Sequence, residues 1–390
     1  MATQDAAGRT ATGIREFRDE DVPAVAALWL RAYHKAEVSP PALLQDYFRD
    51  AFLRDPLNLP DLPSLVCTNG GKVIGFLGVL SRRATFRGRP KRYAVPTQLM
   101  VDPTTECGFA AIDLLKRFLA GPQDFSYADG AQDNAARLWQ ILGGDVVPLL
   151  CLDWMRVFRP LRHRLTATGK RVRFRSLLQV AQPLGWVVDA VAGRLPFGPY
   201  RVRQPAGSAT EADATTVLAC WDSLPRKSAL RPAYDADSLS RLLGAAAAST
   251  GLGRFRTAVV RDRDRRSVGW FAYYLNPGGL SRVVQVGAAG PTAGLVFDHL
   301  MFDAWAQGSA ALEGMADPRH LRELDDRHAR YRCCGLGVAV HSRDPDLLYA
   351  IHRGNSSLSR LDAEWCLPFV TFTLAKLDSC QHDGDRTAHP

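Results

Sequence analysis

The stretch Leu99-Met100-Val101-Asp102-Pro103 decides the fold, because it closes an apolar strand pattern over Tyr93–Val101 with a proline. An amphipathic helix pattern follows over Phe109–Leu119. A second helix pattern covers Asn134–Leu142 and stops at Gly143-Gly144. A strand followed by a turn and helices is typical of α/β folds.

Upstream of this stretch, the sequence predicts a hairpin. Asn69-Gly70-Gly71 separates the strand patterns Ser64–Thr68 and Val73–Leu80, and both residue types accept the positive φ of a tight turn. A strand pattern at Ile14–Arg18 and a helix pattern at Pro41–Leu53 come before it. The first part of the chain is therefore expected to form a sheet covered by helices.

After residue 211 the same order of patterns returns without sequence identity. The strand patterns are Arg256–Arg261, Val268–Leu275, Arg282–Gly287, Ser309–Met315 and Leu336–Ser342. A chain of 390 residues is also longer than one ordinary core. We therefore predict an α/β protein (α+β, mixed sheets) with two domains in tandem, residues 1–158 and 211–390. A basic, partly helical linker would cover 159–210.

The first half resembles the GNAT superfamily of N-acetyltransferases, in which a strand ending in Val-x-Pro leads through a glycine-rich turn into a helix. The resemblance implies two tandem GNAT-like domains and acetyl-CoA or another acyl-CoA as co-substrate, without a metal. The pyrophosphate would lie at the helix N-terminus, and the pantetheine amides would bond to the open strand. The residues placed at this site are Leu99, Met100, Val101, Cys107, Gly108, Phe109, Ala110, Ala111 and Asn134.

Three positions depart from the family pattern. Glu106 lies in the turn where the family has arginine and glycine, and its charge opposes a pyrophosphate. Gln98 and Trp139 lie where the family often has a glutamate base and a tyrosine acid, and neither titrates near neutral pH. The resemblance therefore implies that proximity and backbone stabilisation of the thioester oxyanion supply most of the rate.

Asp129 and Tyr127 are the candidate catalytic residues, because they are the nearest titratable groups to the predicted site. They lie at the end of the strand pattern Asp124–Ala128, where Asp129 would act as base and Tyr127 as acid. The alternative is structural: Asp129 would open a turn with Gly130, and Tyr127 would be half-buried.

In the second half, three features suggest a site. The small-residue loop 287–294 precedes a helix pattern and could cradle a phosphate, although it contains no basic residue. His299 and Asp303 are four residues apart on that helix and could form a pair, or serve structural hydrogen bonds. The polar segment 353–365 could line a substrate cleft or form a surface loop.

Positive charge is concentrated in one segment. Residues 156–203 contain eleven Lys or Arg residues and one acid, while the whole chain carries a net charge of +9. The segment suits peripheral contact with an anionic membrane, the phosphates of a substrate, or a solvated linker. Nucleic acid is an unlikely partner, because aromatic residues do not alternate with the arginines.

The remaining composition is that of a cytoplasmic protein, with membrane-peripheral placement as an alternative. The first fifteen residues lack the apolar run of a signal peptide, and no apolar run is long enough to cross a membrane. The eight cysteines have no metal-binding spacing, so free thiols and no metal are expected.

Together these features predict a bacterial N-acyltransferase that moves an acyl group, most simply acetyl, from acyl-CoA to a small polar or sugar-type amine. One alternative is a Fem-type transferase that acts on a lipid- or nucleotide-linked acceptor. Another is a non-catalytic protein that binds acyl-CoA or serves as a scaffold.

Overall fold

A computed structural model describes residues 12–105, 109–131, 133–169, 199–333, 337–364 and 367. The first part of the chain forms β1 (Thr12–Glu16), α1 (Val22–Trp29), α2 (Ala42–Phe52), β2 (Leu65–Asn69), β3 (Lys72–Phe86), β4 (Arg89–Val101), α3 (Ala110–Leu119), β5 (Phe125–Ala131), α4 (Asp133–Ile141), β6 (Asp145–Val146), β7 (Leu152–Val157) and α5 (Pro160–Gly169). The second part forms β8 (Ser208–Glu211), α6 (Ala214–Ser223), β9 (Leu230–Pro232), α7 (Ala236–Ala248), β10 (Arg254–Arg261), β11 (Ser267–Leu275), β12 (Leu280–Ala288), α8 (Ala293–Ala306), β13 (Ala311–Met315), α9 (Leu321–Asp325), β14 (Arg330–Cys333), β15 (Gly337–Ser342) and α10 (Pro345–His352).

The predicted turn between β2 and β3 is confirmed. Gly70 and Gly71 have φ values of 57° and 81°, in the left-handed region that glycine adopts without strain. β3 and β4 then form a hairpin much longer than the sequence pattern suggested, paired from Phe86 opposite Arg89 to Gly75 opposite Val101. This hairpin forms the centre of the first sheet.

The described strands form two mixed sheets, which confirms the predicted α/β class. The first has the order β1-β2-β3-β4-β5-β15-β6, with β9 also pairing to β3. The second has the order β8-β10-β11-β12-β13-β7-β14. Each sheet thus contains an antiparallel set of four strands, then one parallel neighbour, then two further strands. The repeated pattern in the sequence corresponds to this repeated strand order.

The two parts of the chain exchange strands: the second part contributes β9 and β15 to the first sheet, and the first part contributes β7 to the second sheet. β15 lies between β5 and β6, with Val340 opposite Tyr127 and Ala339 opposite Val146. In the same way, β7 lies between β13 and β14, with Trp154 opposite Gly314. A helical turn at Pro148–Cys151 separates β7 from β6, so the two strands can join different sheets. The prediction of a domain boundary at residue 158 did not include this exchange of strands.

Helices cover both faces of the first sheet. α3 packs Leu114, Leu115 and Phe118 against one face. α1 and α2 pack against the other, where Phe48 and Phe52 form edge-on ring contacts with Phe76 of β3. The core therefore holds β4 and β5 in place up to the point where they separate.

The basic segment is only partly described. Lys170, Arg171, Arg173, Arg175 and Arg194 lie outside the described residues. Arg156 is buried and donates hydrogen bonds to the backbone oxygens of Pro199 and Arg201, while Arg159 donates to that of Trp305. These two arginines therefore serve packing, and contact of the segment with an anionic membrane stays a prediction. Across the described ranges, we find no helix that is long and apolar enough to cross a membrane.

Candidate active site

A first cleft opens where β4 and β5 separate. The two strands run parallel and pair only at Tyr93 with Phe125 and at Ala94 with Ser126. β4 continues to Val101 and β5 to Ala131 without further pairing between them in the described structure. A splayed strand pair at this place is what the resemblance to the GNAT superfamily implies.

Gln98 forms a bulge at the edge of the first cleft. The pairing of β3 with β4 shifts register between Gly78, opposite Thr97, and Phe76, opposite Met100. Gln98 has a φ of 54°, which is uncommon for a residue with a side chain. Its Oε1 accepts a hydrogen bond of 3.1 Å from Trp29 Nε1. The indole of Trp29, which bonds to Gln98 at this bulge, therefore cannot exchange a proton near neutral pH.

The predicted carrier-binding residues are distributed over three elements. They are Leu99, Met100 and Val101 on β4, Ala110 and Ala111 at the start of α3, and Asn134 at the start of α4. Phe109 precedes α3 and is 74% exposed, so its ring does not fill the cleft. Cys107 and Gly108 lie outside the described residues, as does Glu106.

Instead, Glu364 fills part of the first cleft, from the far end of the chain. Its Oε2 accepts a hydrogen bond of 2.6 Å from Thr97 Oγ1 on β4. Its Oε1 lies against Gly130 of β5, where a Cβ atom would collide with it. Burial raises the pKa of the Glu364 carboxyl, and the Thr97 hydrogen bond opposes this. The side chain thus bridges the two separated strands.

Asp129 and Tyr127, the predicted base and acid, are buried on β5 beside Glu364. Within the described residues, neither carboxylate oxygen of Asp129 nor the Tyr127 hydroxyl has a well-formed hydrogen bond. Burial, and then the charge of Glu364, raises the pKa of Asp129 well above its usual range. Burial also raises the pKa of Tyr127, whose side chain is fully enclosed. Asp129 and Tyr127 lie close together, as predicted, but the Glu364 side chain fills part of the cleft beside them.

A second cleft opens at the equivalent place in the second sheet. β12 and β13 run parallel and pair only from Leu280 opposite Ala311 to Arg282 opposite Glu313. A register shift in the pairing of β11 with β12 leaves Val284 as an extra residue. Beyond Arg282, the edge of β12 that faces β13 therefore has no described strand partner, while the other edge of β12 pairs with β11.

The second cleft contains a cavity of about 650 Å³. Its walls come from β12 and the loop before α8, from the segment after β13, from the end of α6, and from residues 353–359. The polar segment 353–365, for which a substrate cleft and a surface loop were the two alternatives, lines this cavity through Ser357 and Ser359. A volume of this size is within the range of ligand-binding cavities in proteins.

Basic side chains from distant parts of the sequence surround this cavity. Lys227 Nζ lies 3.1 Å from the position of a Cβ atom on Gly290, in the loop before α8. Arg319 donates hydrogen bonds to Ser357 Oγ at 2.8 Å and to both carboxylate oxygens of Asp317. Arg231 stacks on the ring of Trp221 at 3.8 Å. The loop 287–294, which has no basic residue of its own, thus has cations beside it.

His320 is an unusual part of the cavity wall. Its side chain is buried, and neither ring nitrogen has a well-formed hydrogen bond to any described residue. Burial lowers its pKa, so the ring is neutral near pH 7 and offers one donor and one acceptor. A buried polar group without a partner costs free energy, which a ligand that bonds to it would recover.

A hydrogen-bonded chain starts at Gln285, next to the bulge in β12. The Tyr234 hydroxyl lies 3.1 Å from Gln285 Oε1 and 2.5 Å from Asp362 Oδ1. The other oxygen of Asp362 accepts hydrogen bonds of 2.9 Å from the backbone N–H and the hydroxyl of Ser359. Burial raises the pKa of Asp362 to about 6. The second cleft therefore has a titratable carboxyl, that of Asp362, near its bulge. The first cleft has the Trp29 indole at the equivalent place.

The suggested His299–Asp303 pair does not form, and both residues have structural partners. His299 Nε2 lies 3.0 Å from the backbone oxygen of Ala206. Asp303 accepts hydrogen bonds from Arg256 and from the Tyr273 hydroxyl. Among the described residues, no group of His, Cys, Asp and Glu side chains is suited to hold a metal ion.

The sequence patterns did not single out Lys227, Gln285 or His320 as site residues, and they included Asp362 only as part of the polar segment 353–365. Strand pairing and packing bring these residues together. Gln285 has one signal in the sequence, its position, because it lies near the end of a predicted strand that the loop 287–294 follows, as Gln98 lies near the end of the predicted strand that residues 102–109 follow.

Comparison with solved structures shows the fold. A conserved protein of unknown function from Enterococcus faecalis V583, described as a probable N-acyltransferase, aligns with a TM-score of 0.55 and 11% identity over 85% of this chain and 72% of its own. GCN5-related N-acetyltransferases from Kribbella flavida and Anabaena variabilis ATCC 29413 align with TM-scores of 0.52 and 0.54 and identities of 12% and 10%. Each alignment covers 86% of this chain, and 72% and 74% of those chains.

No protein-family model matches the sequence, and no curated protein matches it significantly. The similarity to the three solved structures nevertheless shows that the chain has the fold of the GCN5-related N-acetyltransferases. The strand-and-turn pattern around Pro103 suggested the same fold.

Proposed function

We propose that the protein transfers an acyl group, acetyl in the simplest case, from acyl-CoA to an amine, and that the acyl-CoA binds in the second cleft. The observation that carries this proposal is the open strand pair of β12 and β13 beside a cavity of about 650 Å³. The solved structures of similar fold that are described as N-acyltransferases or N-acetyltransferases support the reaction class.

The polar groups of the second cleft suit each part of an acyl-CoA. The pyrophosphate would lie at the N-terminus of α8, where the helix dipole and unpaired N–H groups attract anions. Lys227 is placed beside this loop and would add a charge-assisted contact. The edge of β12 that faces β13 and the ring nitrogens of His320 would bond to the amides of the pantetheine arm.

The backbone near the bulge would stabilise the reaction. The amine nitrogen attacks the thioester carbon, and the carbonyl oxygen gains negative charge before the thiolate leaves. A backbone N–H held rigidly by the sheet stabilises that charge without having to reorganise. Holding the thioester and the amine together also removes most of the entropic barrier.

The first cleft is the alternative place for the carrier, since the family resemblance selects residues of β4 and of the start of α3 there. Glu364 argues for the second cleft. A buried carboxyl between Thr97 and Gly130 occupies space in the first cleft and would repel a phosphorylated ligand.

A thermal-shift titration with acetyl-CoA, longer acyl-CoAs and free CoA tests the proposal directly. A ligand at a hundred times its Kd should stabilise the folded protein by about 2.7 kcal/mol. Release of free thiol from acetyl-CoA in the presence of glucosamine and other small primary amines tests the transfer itself.

The two measurements separate the candidate functions. Binding together with thiol release supports the transferase. Binding without turnover of any amine would favour the non-catalytic acyl-CoA-binding alternative. No shift with any CoA compound contradicts both.

A further inference from the structure

A second, smaller cavity lies between the first sheet and α7. It has a volume of about 240 Å³, and we call it the interface cavity. It is lined by Ser81, Arg82 and Arg83 of β3, Tyr93 of β4, Leu57, Tyr234, Asp235, Asp237, Ser238, Arg241 and Asp362, among others. Both parts of the chain therefore contribute to its walls.

The chain of hydrogen bonds from Gln285 joins this cavity to the second cleft. Gln285 lines the second cleft, while Tyr234 and Asp362 line the interface cavity. The Tyr234 hydroxyl lies between the other two side chains, at 3.1 Å and 2.5 Å. The two groups that can exchange a proton, Tyr234 and Asp362, thus line the interface cavity and contact the second cleft through Gln285, next to the bulge in β12.

We propose that the interface cavity binds the acceptor amine and that Asp362 accepts the proton which the amine loses during acyl transfer. This inference rests on the proposed function and adds to it the place of the acceptor and the identity of the base. The acyl carrier and the acceptor would then enter from different cavities and meet near Gln285.

The proton balance of the step follows from this placement. The amine nitrogen forms a bond to the thioester carbon while the C–S bond breaks, and the sulfur leaves as thiolate. The amine gives one proton to the Asp362 carboxylate, directly or through Tyr234, and the thiolate takes up one proton from solvent to become free CoA thiol. The Asp362 carboxyl then releases its proton to solvent, which restores the carboxylate for the next turnover. The products are an amide and a thiol, without any oxidant or metal.

The interface cavity also indicates the class of amine. About 240 Å³ is smaller than most drug-sized ligand sites, so a compound of roughly one sugar ring fits and a polymer does not. Asp235, Asp237 and Asp362 provide carboxylates for an ammonium group, and Ser81 and Ser238 provide hydroxyl partners. A small, hydroxyl-bearing primary amine matches this lining.

The pH dependence of the rate is a direct consequence. Asp362 must be ionised to accept a proton, and burial places its pKa at about 6, with Tyr234, Ser359 and Arg82 opposing the effect of burial. Arg83, Arg241, Asp235 and Asp237 also border the cavity. The rate should therefore rise with pH through about 6 and then level off.

The test compares four variants of the full chain by thiol release with glucosamine, or with the amine that is turned over fastest. Leu57→Trp reduces the volume of the interface cavity and should raise the KM for the amine at least tenfold. Leu53→Trp, at an exposed position that does not line the cavity, is its matched control.

Asp362→Asn should lower kcat at least a hundredfold and remove the rise through about pH 6. Tyr234→Phe should lower kcat about tenfold. If Asp362→Asn folds poorly, Tyr234→Phe serves as a second probe of the hydrogen bonds between Gln285, Tyr234 and Asp362.

The thermal shift with acetyl-CoA should stay unchanged in every variant. If it does, and if the amine KM of Leu57→Trp and the kcat of Tyr234→Phe equal those of the unmodified protein, the inference is overturned while the proposed function stands. If the unmodified protein shows no acetyl-CoA shift and no thiol release, both are overturned.

Discussion

The first and second clefts share one construction and differ in what fills them. In each, two parallel strands pair at two or three positions and then separate beside a bulge. Glu364 fills part of the first cleft, whereas the second contains a cavity of about 650 Å³. The difference shows that strand geometry creates a possible site, and side chains from distant segments decide whether a ligand can enter.

The bulges show the same contrast. Gln98 is bonded to the indole of Trp29, which does not titrate, whereas Gln285 is bonded to Tyr234 and through it to Asp362. One segment, residues 353–364, contributes to both results, because Ser357 and Ser359 line the second cleft and Glu364 enters the first.

Separating the two parts of the chain should have the largest effect. A fragment of residues 1–158 lacks β15, so β5 and β6 lose the strand between them, and β7 loses both of its neighbours. We expect no cooperative thermal transition in circular dichroism from this fragment. Co-expression with residues 159–390 should restore it as a complex. A cooperative transition from the fragment alone would show that the exchange is not needed for folding.

Blocking the second cleft should abolish carrier binding. Ala289→Trp places a large side chain in the cavity beside the loop before α8, and we expect the affinity for acetyl-CoA to fall at least a hundredfold. The matched variant Ala111→Trp, in the first turn of α3, should leave affinity unchanged. Isothermal titration calorimetry measures both. The reverse result would assign the carrier to the first cleft.

Removing one cation should have a moderate effect. Lys227→Gln takes away the charge beside Gly290, and we expect the Kd for CoA to rise about fivefold at low salt, with a weaker dependence on ionic strength. Lys72→Gln is the control, because Lys72 lies beside Asp102 and Thr104 in the equivalent loop of the first cleft. Equal effects of the two substitutions would contradict the preference for the second cleft.

The smallest effect concerns stability in the first cleft. Because burial and Glu364 raise the pKa of Asp129, the folded state keeps this proton at pH values where the unfolded chain has lost it. Stability should therefore fall as pH rises above about 4, by about 1.4 kcal/mol for each unit of the shift, and level off above the folded pKa.

Asp129→Asn should flatten this slope in thermal unfolding between pH 4 and 8. Asp50→Asn, at an exposed position on α2, provides the comparison. An unchanged slope in Asp129→Asn would mean that the carboxyl is ionised in the folded protein.

The sequence by itself determined the local elements. The turn at Asn69-Gly70-Gly71, the strand that ends before Pro103 and the recurrence of this order after residue 211 follow from backbone preferences and apolar periodicity, which act over short distances. These signals were sufficient to predict the α/β class and a resemblance to the GNAT superfamily. The similarity to solved structures supports that resemblance at the level of the fold.

Only the tertiary structure decided which strands share a sheet and which cleft stays open. The exchange of β7 and β15 follows from pairing between segments that are more than 150 residues apart, which no local pattern encodes. The same is true of Glu364 in the first cleft and of Lys227 and His320 in the second. Burial and charge depend on neighbours in space, and packing selects those neighbours when the two sheets come together.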